Sequence, residues 1–79
     1  MDTEPLIPFE QAVLDIVQEW GTGVHSVTIL EALQKRFGRA VSPDDISIAV
    51  DYLEKRGFVH TYVDETTRKR MVVAVPPAT

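Results

Sequence analysis

The stretch VSPDDISIAVDYLEKRGFV, residues 41–59, constrains the fold more than any other part of the chain, because it carries a start, an apolar face and a stop for one helix. Ser42 suits the N-cap, Pro43 the first helical position, and Asp44 and Asp45 the positive end of the helix dipole. Asp45 completes a capping box with Ser42, and Val41 and Ile46 flank the cap as a hydrophobic staple. Gly57 stands just past the last turn with Phe58 behind it, the pattern of a Schellman ending that brings Phe58 towards Leu53. At about 100° per residue Ile46, Ala49, Val50 and Leu53 gather on one side, so this helix lays a single face on a core. Beyond Gly57 the apolar period changes from that of a helix to that of a strand. FVHTYV and RMVVAV are β-branched and aromatic runs separated by the turn-like DETTRK, which predicts a hairpin.

Upstream, FEQAVLDIVQEW after Pro8 places Phe9, Ala12, Val13, Ile16, Val17 and Trp20 on one helical stripe, with Gly21 as its end. GTGVHS leaves room for a turn and a few extended residues. A second helix is expected over 27–37, capped by Ser26 or by Thr28, the latter with Glu31 in a capping box. Leu30, Leu33 and Phe37, with Ile29 beside them, form its apolar side, and Gly38 stops it.

Helix, short extended piece, helix, helix, hairpin is the order of a winged helix-turn-helix. The expected class is α+β: three helices with a C-terminal two-stranded β-hairpin wing, one domain over 1–79, an ordered core over 8–75 and flexible ends at 1–7 and 76–79. The segment ILEALQKRFGRAVSPDDISIAVDYLEKRGFV, followed by a charged turn and RKRMVVAV, resembles the PadR-like transcriptional regulators. The resemblance covers residues 9–75 and rests on Ser42-Pro43 and on the run from Leu53 to Val59. It implies a DNA-binding regulator acting on duplex DNA as a homodimer. Where that family usually places a Tyr soon after Ser-Pro and an Arg or Lys farther along the reading face, this chain has Ser47 and Asp51. Leu6, Ile7, Val72 and Ala74 are the apolar residues outside the helices that a dimer is expected to use.

Charge divides the chain. The net charge is -4, yet residues 1–34 hold Asp2, Glu4, Glu10, Asp15, Glu19 and Glu31 with no Lys or Arg, while all eight basic residues lie in 35–79. A polyanion would therefore meet the second half. Arg68, Lys69 and Arg70, at or just after the hairpin tip, are the first candidates for phosphate, joined by Lys55 and Ser47 on the third helix and by Arg39 in the turn before it. That helix offers no Arg, Asn or Gln to base edges. An alternative use of its outward face is protein recognition through Ile48, Asp51 and Tyr52, as an adaptor or as an acidic partner of another DNA-binding protein.

Enzymatic chemistry is not expected. There is no cysteine, His25 and His60 stand apart without motif-spaced ligands, GTG lacks the Lys-Ser/Thr of a phosphate loop, and no nucleophile motif surrounds any serine. No catalytic residue, metal or cofactor is assigned. With no signal-like start and no apolar run near the ~20 residues of a membrane span, a cytoplasmic protein without membrane contact is the expectation.

Overall fold

The computed structural model describes residues 5–21 and 23–75, which form α1 (Pro8–Trp20), β1 (Val24–His25), α2 (Ser26–Phe37), α3 (Pro43–Lys55), β2 (Val59–Val63) and β3 (Arg70–Ala74). The outermost residues of the ends expected to be flexible, 1–4 and 76–79, lie outside the described residues, as does Thr22. Leu6 packs against the core and Ile7 is the N-cap of α1.

α3 is built as its sequence dictates. Ser42 Oγ accepts from the Asp45 N–H at 3.2 Å and Asp45 Oδ2 accepts from the Ser42 N–H at 2.9 Å, closing the capping box. At the other end the Gly57 N–H donates to the Glu54 carbonyl at 3.0 Å and the Phe58 N–H to the Leu53 carbonyl at 2.9 Å. These are the two bonds of a Schellman motif, and Gly57 takes the left-handed φ of +84° that the motif needs. Ile46, Ala49, Val50 and Leu53 are the buried residues of the helix, the four the periodicity selects.

α1 starts at Pro8, with Glu10 Oε1 accepting from the Ile7 N–H at 3.2 Å, and ends at a left-handed Gly21. Its buried residues are Ala12, Val13, Leu14 and Val17, and Trp20 is 53% exposed, which corrects the expected stripe at both edges. Trp20 shares the stripe by angle but occupies the last turn, beyond the packed layer, whereas Leu14 sits mid-helix where neighbours close over a wider arc.

α2 departs at its start. Its N-cap is His25, no side chain caps it, and the expected caps at Ser26 and Thr28 with Glu31 are not made. The cause is β1: Val24 and His25 pair with Val72 and Met71 of β3, which keeps the chain extended through His25 and starts the helix at Ser26. Both hydroxyl residues then fall inside the first turn, past the position from which a side chain caps. At the far end Gln34 Nε2 donates to the Val41 carbonyl at 3.1 Å, tying α2 to the approach to α3.

The hairpin is present, with Thr61 opposite Val72 and Val63 opposite Arg70. Because β1 adds on the other side, β3 becomes the middle strand of an antiparallel sheet of order β1-β3-β2. That placement buries Val72 completely and leaves Ala74 packed against the core. Of the four apolar residues expected to serve a dimer, Ile7 alone is exposed, at 57%; the others are taken up by the fold itself. No charged or polar residue is buried among the described residues, and the core is carried by aliphatic side chains from all three helices and the sheet.

Candidate nucleic-acid interface

α3 presents Asp44, Ser47, Ile48, Asp51 and Lys55 to solvent. Ser47, Asp51 and Lys55 follow at intervals of four and share one helical face. Two carboxylates of the helix then hold the hairpin. Glu54 Oε2 accepts from the Thr61 N–H at 3.1 Å and from Thr61 Oγ1 at 2.9 Å, which also occupies an edge N–H of β2. Arg70 Nη2 lies 2.6 Å from Asp51 Oδ1, an ion pair that joins β3 to the helix. Each strand of the wing is thus tethered to α3 by one side chain.

The wing tip is shaped by its own backbone. The Asp64 N–H donates to the Lys69 carbonyl at 2.9 Å, the Arg68 N–H to the Asp64 carbonyl at 2.7 Å, and the Thr66 N–H to Asp64 Oδ1 at 2.8 Å. Arg68 closes the turn with φ +61°, a left-handed conformation uncommon for a residue with a side chain. Arg68 and Lys69 are both exposed.

The candidates from the sequence therefore separate into groups. Arg68 and Lys69 stand exposed at the wing tip, Arg70 is engaged by Asp51, Lys55 is exposed in the last turn of α3, Ser47 is exposed near its start, and Arg39 is exposed in the turn before it. The alternative trio, Ile48, Asp51 and Tyr52, are neighbours along α3 at spacings of three and four, but they are engaged differently. Ile48 is 69% exposed, Asp51 faces Arg70, and Tyr52 is half-buried with its hydroxyl accepting from Arg56 Nη1 at 3.2 Å. The Arg56 guanidinium lies 5.6 Å from the Tyr52 ring centre and 5.3 Å from that of Phe58, a stack that packs the end of α3 onto the start of β2.

Two features escaped the sequence reading. The first is the N-terminus of α2, which has no side-chain cap and no acidic residue in its first turn. It borders a small cleft of about 110 Å³ lined by Ser26, Val27, Pro43 and Ser47, among others, so its positive dipole end opens beside the outward face of α3. The absence of Asp or Glu from SVTI was the legible part of that signal; the missing cap was not. The second is an apolar groove of about 400 Å³ whose lining includes Ile7, Phe9, Phe37, Val41 and Ile48, with Glu10 and Asp45 at its edge. Phe9 and Phe37 meet across it with ring centres 5.6 Å apart. Those aromatics were assigned to the core by periodicity, but Phe37 in the last turn of α2 remains 43% exposed.

Among the described residues no group of three His, Cys, Asp or Glu is placed to hold a metal ion, and no helix is long and apolar enough to cross a membrane.

No family model and no curated protein matches the sequence. Solved structures do. A MarR-family transcriptional regulator from Rhodococcus sp. RHA1 aligns over 89% of this chain with a TM-score of 0.75 and 26% identity, covering 45% of that chain. RosR of H. salinarum aligns over 94% with a TM-score of 0.77 and 19% identity, covering 64% of its own chain. A probable transcriptional regulator from Pseudomonas aeruginosa aligns over 94% with a TM-score of 0.74 and 23% identity, covering 52% of its chain. The present chain thus spans less than two thirds of the length of each. With three helices, the strand between the first two, and a hairpin tethered to the third, the chain has the winged-helix fold.

Proposed function

We propose that this chain is a DNA-binding winged-helix transcriptional regulator whose wing tip and α3 meet duplex DNA. The observation that carries this reading is the likeness of nearly the whole described fold to solved transcriptional regulators, together with two exposed cations at the end of the wing. In this reading Arg68 and Lys69 contact phosphates, Lys55 and the uncapped N-terminus of α2 add further phosphate contacts, and α3 lies along the major groove. Arg39, exposed in the turn before α3, is a further candidate for phosphate. The net charge of -4 keeps the sequence-independent part of the affinity low.

The narrower family placement is part of the proposal. The Ser42-Pro43 and Leu53-to-Val59 motifs favour a PadR-like regulator, while one solved neighbour bears the MarR name. Action as a homodimer in the cytoplasm belongs here too, since helix-turn-helix regulators commonly read paired half-sites. A second reading, protein recognition, is favoured by the apolar groove beside Ile48 rather than by the trio Ile48, Asp51 and Tyr52.

Titration of a labelled duplex of mixed sequence at about 50 mM salt tests the main reading, with a dissociation constant of about 10⁻⁵ M or tighter expected, since the roughly 10⁻⁴ to 10⁻⁶ M of non-specific binding at physiological salt tightens as salt falls. Replacing Arg68 and Lys69 by Ala lowers affinity for all sequences alike and reduces the salt slope by about 0.9 for each phosphate no longer neutralised. Absence of duplex binding at tens of micromolar protein in that buffer refutes it.

A further inference from the structure

The surface of α3 is unusual for a helix placed to read bases, and its chemistry narrows what it can read. Hydrogen-bond readout in the major groove relies on Arg or Lys against guanine, on Asn or Gln against adenine and on Asp or Glu against the cytosine amine, the last at the cost of a carboxylate set between phosphates. α3 holds no Arg, Asn or Gln, and its one lysine, Lys55, is its last residue. Three of its four carboxylates are committed elsewhere: Asp45 caps the helix through the Ser42 N–H, Glu54 holds Thr61, and Asp51 holds Arg70, while Asp44 stands exposed in the first turn. Ser47 remains as a donor and acceptor, and a serine hydroxyl does not discriminate strongly between base pairs.

What the helix does present is Ile48. It is 69% exposed, the most exposed of the large apolar side chains among the described residues, and it stands in the middle of the helix. It neighbours Asp51 at a spacing of three residues on the helix surface. Because Asp51 is bound to Arg70, Ile48 lies next to the point where the wing is fastened. Arg70 and this one apolar side chain therefore flank the same carboxylate. In the major groove the apolar group on offer is the 5-methyl of thymine, which adenine, guanine and cytosine lack.

Resting on the DNA-binding reading, we infer that Ile48 reads duplex DNA by burying the 5-methyl groups of thymine, so that α3 selects A·T pairs by apolar contact instead of by hydrogen bonds to base edges. Removal of a methyl from water accounts for roughly a fourfold change in affinity per methyl covered.

The test uses the full chain and two short A·T-rich duplexes of the same sequence, one with thymine and one with uracil in every thymine position. The two differ only by the 5-methyl group and carry the same phosphates. The thymine duplex is expected to bind at least about fourfold more tightly, with the same salt slope for both. Ile48→Ala, which alters an exposed position and leaves the core intact, is expected to bind both duplexes equally, again with an unchanged slope. A G·C duplex carrying 5-methylcytosine, which restores the methyl at the same place in the groove, should bind the unaltered protein more tightly than its cytosine counterpart, and Ile48→Ala should remove that gain. Equal affinity of the unaltered protein for thymine and uracil duplexes overturns the inference while DNA binding stands. Failure to bind either duplex at low salt overturns the DNA-binding reading, and the inference with it.

Discussion

α2 and α3 have 12 and 13 residues and each buries a leucine completely, Leu33 and Leu53, yet only α3 is closed at its N-terminus by its own side chains. The start of α3 is written in the four residues from Ser42 to Asp45, and its stop in Gly57 and Phe58. The start of α2 is imposed from outside, by the pairing of β1 with a strand at the other end of the chain. The consequence is chemical as well as architectural. The N-terminal amides of α3 are served by Ser42 and Asp45, whereas the first turn of α2 has no side-chain acceptor and remains suited to an anion.

Core packing should not register this difference. Leu33→Ala and Leu53→Ala are each expected to lower the unfolding free energy by about 2 to 5 kcal/mol, measured by urea denaturation, because both remove a fully buried side chain. For a domain of this size that is a large share of its stability. A loss below ~0.5 kcal/mol at one of them would show that the two helices do not share one core.

The caps should register it directly. Ser42→Ala is expected to cost about 1 kcal/mol, since it removes the hydroxyl that accepts from Asp45. Ser26→Ala should change stability by no more than about 0.5 kcal/mol, since no cap is made there. Thermal or urea unfolding of the two variants side by side decides the matter. If Ser26→Ala costs as much as Ser42→Ala, α2 has a cap after all and its N-terminus is not available to phosphate.

The same contrast explains what could be read in advance. α3, its ends and the two hairpin strands were legible because their signals are local: a cap and its partner three residues on, a glycine after the last turn, a change of apolar period. The pairing of Val24 with Val72 was not, because two residues of extended chain carry no periodicity, and their partner is chosen by the whole fold. The α2 caps were misplaced for that reason. Trp20 and Phe37 show a related limit: periodicity assigns a face, but whether the last turn of a helix is covered depends on where its neighbours stop. In the candidate site, Arg68 and Lys69 were found as exposed wing cations from their position alone. The engagement of Arg70 by Asp51 was not, as the two stand 19 residues apart on different elements.

That ion pair gives a small effect on stability and a clear one on binding. Asp51 and Arg70 have side chains 65% and 32% exposed, so solvent screens their attraction, and Asp51→Asn should change the unfolding free energy by about 1 kcal/mol or less. Under the DNA-binding proposal the substitution removes a negative charge from the face of α3 and releases the Arg70 guanidinium beside it. Duplex affinity at low salt should therefore rise, and the salt slope should steepen by about 0.9 if the released guanidinium takes up one phosphate. The bridge would then act as an internal competitor, a carboxylate occupying the cation that a phosphate would otherwise hold. Weaker binding by Asp51→Asn, with stability unchanged, would reverse the assignment: the bridge would be what positions Arg70 and the wing for phosphate. α3 would then owe its DNA contacts to its own internal partners, and α2, with no such partner at its N-terminus, would be the helix that meets the backbone unaided.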